Sequence, residues 1–210
     1  MISYEQRITD WMEDLYSKQP VPGGGGASAL AGAMAASLDG MVANLTSGKK
    51  KYAEYQERIE EILVKSAELK DAFLRQMEED KIAFEPLSKA YSLPKNTPEE
   101  LEERDRIMQA ALLAATRPPM EMMRLGTKTV DLCEELTVCG SRIAISDVGV
   151  SLAMARSAVE GAMMNVVINA RLLKDEAKKE AYMKEAEEIL ADTRERTARL
   201  YEVVYSSLKG

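Results

Sequence analysis

The sequence predicts an all-α protein, a bundle of about six to eight long helices, some kinked at proline, in one domain spanning residues 1–210. Three observations predict it. Apolar residues make up 46% of the chain but aromatics only 5%, with 13 Met, a mix that suits helices packed through Ala, Leu and Met better than a β-sandwich. Apolar residues recur at three-to-four spacing through long stretches, and no convincing strand interrupts them. The 210 residues are also enough chain to bury a proper core.

The net charge of −7 argues against nucleic acid or an anionic membrane as the main partner, although local basic clusters remain open to a small anion. The chain has no histidine. That removes Ser-His-Asp and Cys-His catalysis, His-liganded zinc and histidine bases, and leaves proton transfer to Asp, Glu, Lys, Tyr or Cys. Cys133 and Cys139 do not share a helical line and form no C-x-x-C pair, so reduced, buried thiols in a cytoplasmic protein are expected. The charged start is not a signal peptide. Residues 25–45 have the length of a membrane span, but their Ala and Gly content, with Asp39 and Asn44 inside, marks a buried core helix.

Ser3-x-x-Gln6 reads as a capping box opening a first helix to about Lys18, with Ile8, Trp11, Met12 and Leu15 on one face. Pro20 and Pro22 stop it, and Gly23 to Gly26 follow. Four glycines lose much conformational freedom on folding, so the run suits a place where backbone must sit against something. The unpaired amides of the next helix start point to that place and make it a natural anion or carbonyl-oxygen site. The other reading is a flexible loop between two helices. Ala27 to about Thr46 forms the next helix, with Gly32, Ala36, Gly40 and Ala43 spaced for close contact. Ser47-Gly48 ends it. Lys49, Lys50 and Lys51 then oppose a helix macrodipole, either as a solvated helix start or as the seat of an anionic ligand.

A long amphipathic helix from Tyr52 to Leu93, bent at Pro86, carries a stripe that includes Ile59, Ile62, Leu69, Phe73, Met77 and Phe84. At about 100° per residue, Asp80 and Lys81 fall inside that stripe, and Glu78 and Glu79 fall outside it. Unpaired charge on a buried face is expensive, so this carboxylate and amine form either a structural ion pair or a working polar site. Lys70, on the same stripe, reads as snorkelling. Thr97-Pro98-Glu99-Glu100 restarts the chain with an N-cap, a first-position proline and acidic residues in the first turn. Pro118-Pro119 kinks or divides that helix, whose second half runs from Met120 to about Val138.

Beyond Ser141, Asp147 and Asn165 coincide on a helical wheel, and Ser151 and Asn169 lie about 40° away over Ala155, Ala158 and Ala162. That face reads as the wall of a polar cleft, the alternative being helix–helix hydrogen bonding with every member satisfied. A last helix, Asp175 to about Leu208, packs through Ile189, Leu190, Leu200 and Val204.

Pro22-Gly23-Gly24-Gly25 through Ser28 to Gly32, Met41 to Thr46, Gly48 to Tyr52, Asp80, Phe84, Tyr91 to Lys95, Ser146-Asp147 and Gly161 to Asn169 together resemble the cyclodeaminase domain of formiminotransferase-cyclodeaminase. Stand-alone bacterial methenyltetrahydrofolate cyclohydrolases share the pattern. No role is carried onto Ile143-Ala144-Ile145, where many relatives have Asn or Cys. The resemblance implies an all-helical fold that forms a homodimer, a tetrahydrofolate derivative as substrate, no prosthetic group and no metal. It implies either cyclohydrolysis of 5,10-methenyltetrahydrofolate to 10-formyltetrahydrofolate or cyclodeamination of 5-formiminotetrahydrofolate. Asp80 is then the first candidate acid-base group and Asp147 the second, with Lys81 either lowering the Asp80 pKa or polarising the pterin carbonyl. Gly23, Gly24, Gly25 and Ser28 would hold the pterin or a carboxylate, Lys49 and Lys50 the glutamate tail, and Asn165 and Asn169 the pterin edge. A non-catalytic folate-binding protein and a structural helical bundle are the alternatives.

Overall fold

Small residues decide how the helices meet. The computed structural model describes residues 2–209, and the regular elements among them are all helical. After a 3-10 turn at Ser3–Glu5 come α1 (Ile8–Tyr16), α2 (Gly24–Thr46), α3 (Gln56–Tyr91), α4 (Pro98–Cys139), α5 (Ile145–Ala170) and α6 (Glu176–Lys209). The six helices match the all-α expectation. Further 3-10 segments, Lys50–Tyr55 and Arg142–Ala144, precede α3 and α5.

Local chemistry sets most boundaries. Thr97 accepts from the Glu100 amide and the Glu100 carboxylate accepts from the Thr97 amide, a complete capping box with Pro98 at the first helical position. Gly48, at φ 71°, takes the left-handed conformation that ends α2. Three expectations change. Ser3 and Gln6 do not cap a helix: the Ser3 amide donates to Glu78 and Gln6 donates to Asp14, so α1 starts at Ile8 and buries only Trp11. The tetraglycine run is no loop, because Gly23 is the N-cap and Gly24 to Gly26 form the first turn of α2. Pro118-Pro119 does not divide its helix, and α4 runs unbroken through both prolines.

The long helices run antiparallel from one to the next, with α2 touching α3, α4 and α5. Three α2 glycines index its contact with α3. A β-carbon on Gly25 would overlap the Asp80 carboxylate, one on Gly32 would overlap the Phe73 ring, and one on Gly40 would lie 3.0 Å from Ser66 Oγ. Against α5 the arrangement is reversed, with Gly161 leaving room for the Ser28 hydroxyl where a side chain would collide. Cys133 and Cys139 are buried free thiols, as expected. By length and composition α2 can cross a membrane, but 56% of its most apolar window is buried inside the bundle.

Candidate functional site

Asp80 is positioned by the glycines opposite it. Its stripe on α3 faces α2, and a residue 25 without a side chain lets the carboxylate close on the backbone at the start of α2. There it accepts the Gly26 amide, one of the amides a helix start leaves without a partner. Burial pushes the Asp80 carboxyl up to about 6, and the Gly26 hydrogen bond pulls it back down. The result is a mostly ionised carboxylate at neutral pH whose proton affinity is close enough to that pH for proton exchange. Trp11 packs on Gly26 and walls this end of α2.

Asn165 stands beside the same turn. Its amide donates to the Gly161 carbonyl at 2.9 Å and lies next to Gly24, so α5 contributes a polar group to the Asp80 end of the bundle. Ser28 is less available than expected. It is buried, and its hydroxyl donates to the Gly24 carbonyl at 2.7 Å. Gly23, half-buried at the N-cap, and Gly24, exposed, border the site.

The remaining expected residues lie elsewhere. Asn169 is buried and donates to the Ala115 carbonyl at 3.0 Å. Pro119 has no N–H for that carbonyl four residues earlier in α4, so Asn169 replaces a missing helical hydrogen bond rather than facing a ligand. Ser151, Ala155, Ala158 and Ala162 are completely buried, and Ser151 donates to the Ala35 carbonyl at 3.0 Å. The expected polar cleft is therefore a helix interface with its hydroxyl satisfied. Lys81 pairs with Glu78 at 3.6 Å, a carboxylate that also accepts the Ser3 amide, and the Asp80 carboxyl is governed by burial and by Gly26 instead.

Asp147 coincides with Asn165 on the wheel but lies about 27 Å away along α5, at 1.5 Å per residue. Lys49 and Lys50 are exposed beyond the far end of α2, about 34 Å from the glycines by the same rise over its 23 residues. There Lys49 reaches Ser141 Oγ at 3.5 Å, and the Arg142 amide donates to Tyr52 Oη at 3.0 Å.

A second buried carboxyl went unassigned in the sequence. Asp39 is fully enclosed. It accepts from Cys133 Sγ at 3.3 Å through Oδ1, and its Oδ2 has no partner. Burial lifts its carboxyl to about 7, against the lowering effect of hydrogen bonds from Ser151 and Cys133. The signal was available, because Asp39 is the sole charged residue within α2.

Residues 7–188 match the family described as formiminotransferase-cyclodeaminase. A methenyltetrahydrofolate cyclohydrolase of Methylorubrum extorquens is 39% identical over 97% of this chain and 98% of its own length. The formimidoyltransferase-cyclodeaminase of Mus musculus is 27% identical over 84% of this chain, which spans only 34% of that protein. The crystal structure of a formiminotetrahydrofolate cyclodeaminase from Thermotoga maritima superposes with a TM-score of 0.81 at 26% identity, covering 99% of this chain and 98% of that one.

Proposed function

Because this chain belongs to the formiminotransferase-cyclodeaminase family, we propose that it is an enzyme of tetrahydrofolate one-carbon chemistry whose reaction centre is Asp80 at the start of α2. The observation that carries this reading is a carboxylate held by burial and one helix-start amide at a proton affinity near neutrality. Cyclohydrolysis of 5,10-methenyltetrahydrofolate is the principal activity, supported by the near full-length match to a cyclohydrolase.

In that reaction the ionised Asp80 faces a cationic amidine and stabilises its charge. Asp80 takes a proton from the water that attacks the methenyl carbon. The same proton then goes to N5 as the N5–carbon bond breaks, and the carbinol O–H proton is released as the 10-formyl group forms. The amides of Gly23, Gly24 and Gly25 hold the pterin carbonyl, and Asn165 bonds the pterin edge. Cyclodeamination of 5-formiminotetrahydrofolate is the second reading, favoured by the solved cyclodeaminase of the same fold. There N10 attacks the formimino carbon, Asp80 takes the proton that N10 loses and passes it to the formimino nitrogen, and the bond from the carbon to that nitrogen breaks to release ammonia. Neither route requires a prosthetic group. The reading includes a cytoplasmic setting, on the buried free thiols, and a homodimer, on the exposed apolar face of α2.

Asp80→Asn tests the assignment. Loss of methenyl absorbance and ammonia release, each followed with its own folate, are expected to slow by about 10²- to 10⁴-fold. A folded variant that turns over either folate near the wild-type rate shows the assignment to be wrong.

A further inference from the structure

The chain's only tryptophan packs on the residue whose amide binds Asp80. Trp11 is 3% exposed and is the sole buried residue of α1, a helix that otherwise touches the bundle lightly. Its ring meets a small target. A β-carbon on Gly26 would lie 3.4 Å from Trp11 Cζ2 and 3.6 Å from the Pro22 side chain, and Gly26 is itself buried. One glycine therefore meets the indole and the carboxylate at once.

A helix of nine residues does not hold itself together in water, so something must pin α1 in place. Two contacts do, and both bear on Asp80. Trp11 meets Gly26, and the Ser3 amide, just ahead of α1, donates at 2.8 Å to Glu78, two residues before Asp80 on α3. Anchoring alone asks only for a large apolar residue against some part of the core. A ring set on the one backbone unit that Asp80 uses also keeps water from that hydrogen bond, and a low local dielectric strengthens such a bond.

Charge does not do this work. The α2 glycines bring none, and Asp39 lies about 21 Å further along that helix. From α5 the neighbour is the neutral amide of Asn165. Asp10, Glu13 and Asp14 are the acids of α1, Glu79 on α3 is exposed, and Glu78 pairs with Lys81. The Asp80 carboxyl answers to burial first and to the Gly26 amide second, and to no charged neighbour. What encloses the carboxylate is therefore what tunes it.

We propose that Trp11 is a positioning residue for the reaction: acting through Gly26, its ring keeps the Gly26–Asp80 hydrogen bond dry and the carboxylate aligned for proton transfer. This rests on the proposed role of Asp80 in the folate reaction.

The test uses the full chain. Trp11→Ala opens a ring-sized space beside two polar partners, which water can enter. The acid limb of kcat/KM is then expected to move down by about one pH unit, and kcat to fall about tenfold. Trp11→Phe, which keeps a ring, is expected to restore both. A Trp11→Ala protein that folds by circular dichroism and leaves the limb in place overturns the inference and makes Trp11 an anchor only. A second measurement needs no turnover. The fluorescence of Trp11 in otherwise unaltered protein is expected to change in one step between pH 4 and 8, and Asp80→Asn to abolish that step. Emission without a step, or a step that persists in Asp80→Asn, overturns the inference whether or not Trp11→Ala folds. If wild-type protein consumes neither folate, the functional reading itself fails, and the emission titration still judges the link from Trp11 to Asp80.

Discussion

Asp80 and Gly25 are so close that a β-carbon on residue 25 would occupy the space of both carboxylate oxygens. The carboxylate is thus placed by what the opposite helix lacks. Gly25→Ala is expected to keep the fold, since alanine favours the helix by about 1 kcal/mol, but to displace Asp80. A shift of that size is expected to lower kcat by about 10²-fold, measured as loss of methenyl absorbance beside a circular-dichroism melt.

The Asp80 carboxyl at about 6 sets a pH limb. In the proposed reaction it acts as a base, so kcat/KM is expected to be low in acid, to rise as pH climbs through about 6, and to level above it. The limb disappears in Asp80→Asn. Lys81→Ala leaves its midpoint in place, because burial and Gly26 set the affinity of Asp80 for its proton.

Asp39 makes stability depend on pH in the opposite sense. Its folded value, about 7, lies above the ordinary 3.8, so the native state favours the proton. The contribution is complete below pH 4, and is lost as pH rises through about 7. Over that window the fall is about 4 kcal/mol, from roughly three pKa units at 1.36 kcal/mol each. Urea melts between pH 4 and 9 measure it, and Asp39→Asn is expected to flatten the dependence.

Asn169→Ala separates packing from binding. It leaves the Ala115 carbonyl without a donor beside Pro119, which is expected to lower stability by about 1–3 kcal/mol. Folate KM is expected to stay within twofold in steady-state assays; a large KM change would return Asn169 to the substrate.

The sequence made Asp80 legible because a charge inside an apolar stripe breaks a helical pattern visible in one dimension. It could not separate α5 as a cleft wall from α5 as an interface, since alanines with an occasional serine serve either. The partner that decides the role of Asn169 is a carbonyl 54 residues away, orphaned by a proline in another helix. Lys49 and Lys50 stand away from Asp80 within one chain for a plainer reason. One helix of sequence separates them from the glycines, and a helix is a rigid spacer that holds its two ends apart.

The Gly25, Gly32 and Gly40 contacts with Asp80, Phe73 and Ser66 also work as notches along a ruler. Sliding α3 by a single turn would drive the Phe73 ring into positions that carry methyl groups, so aromatic packing near mid-helix fixes where the acid at the rim comes to rest. Enlarging Gly32, about 10 Å along α2 from Gly25, would therefore move Asp80 by shifting alignment.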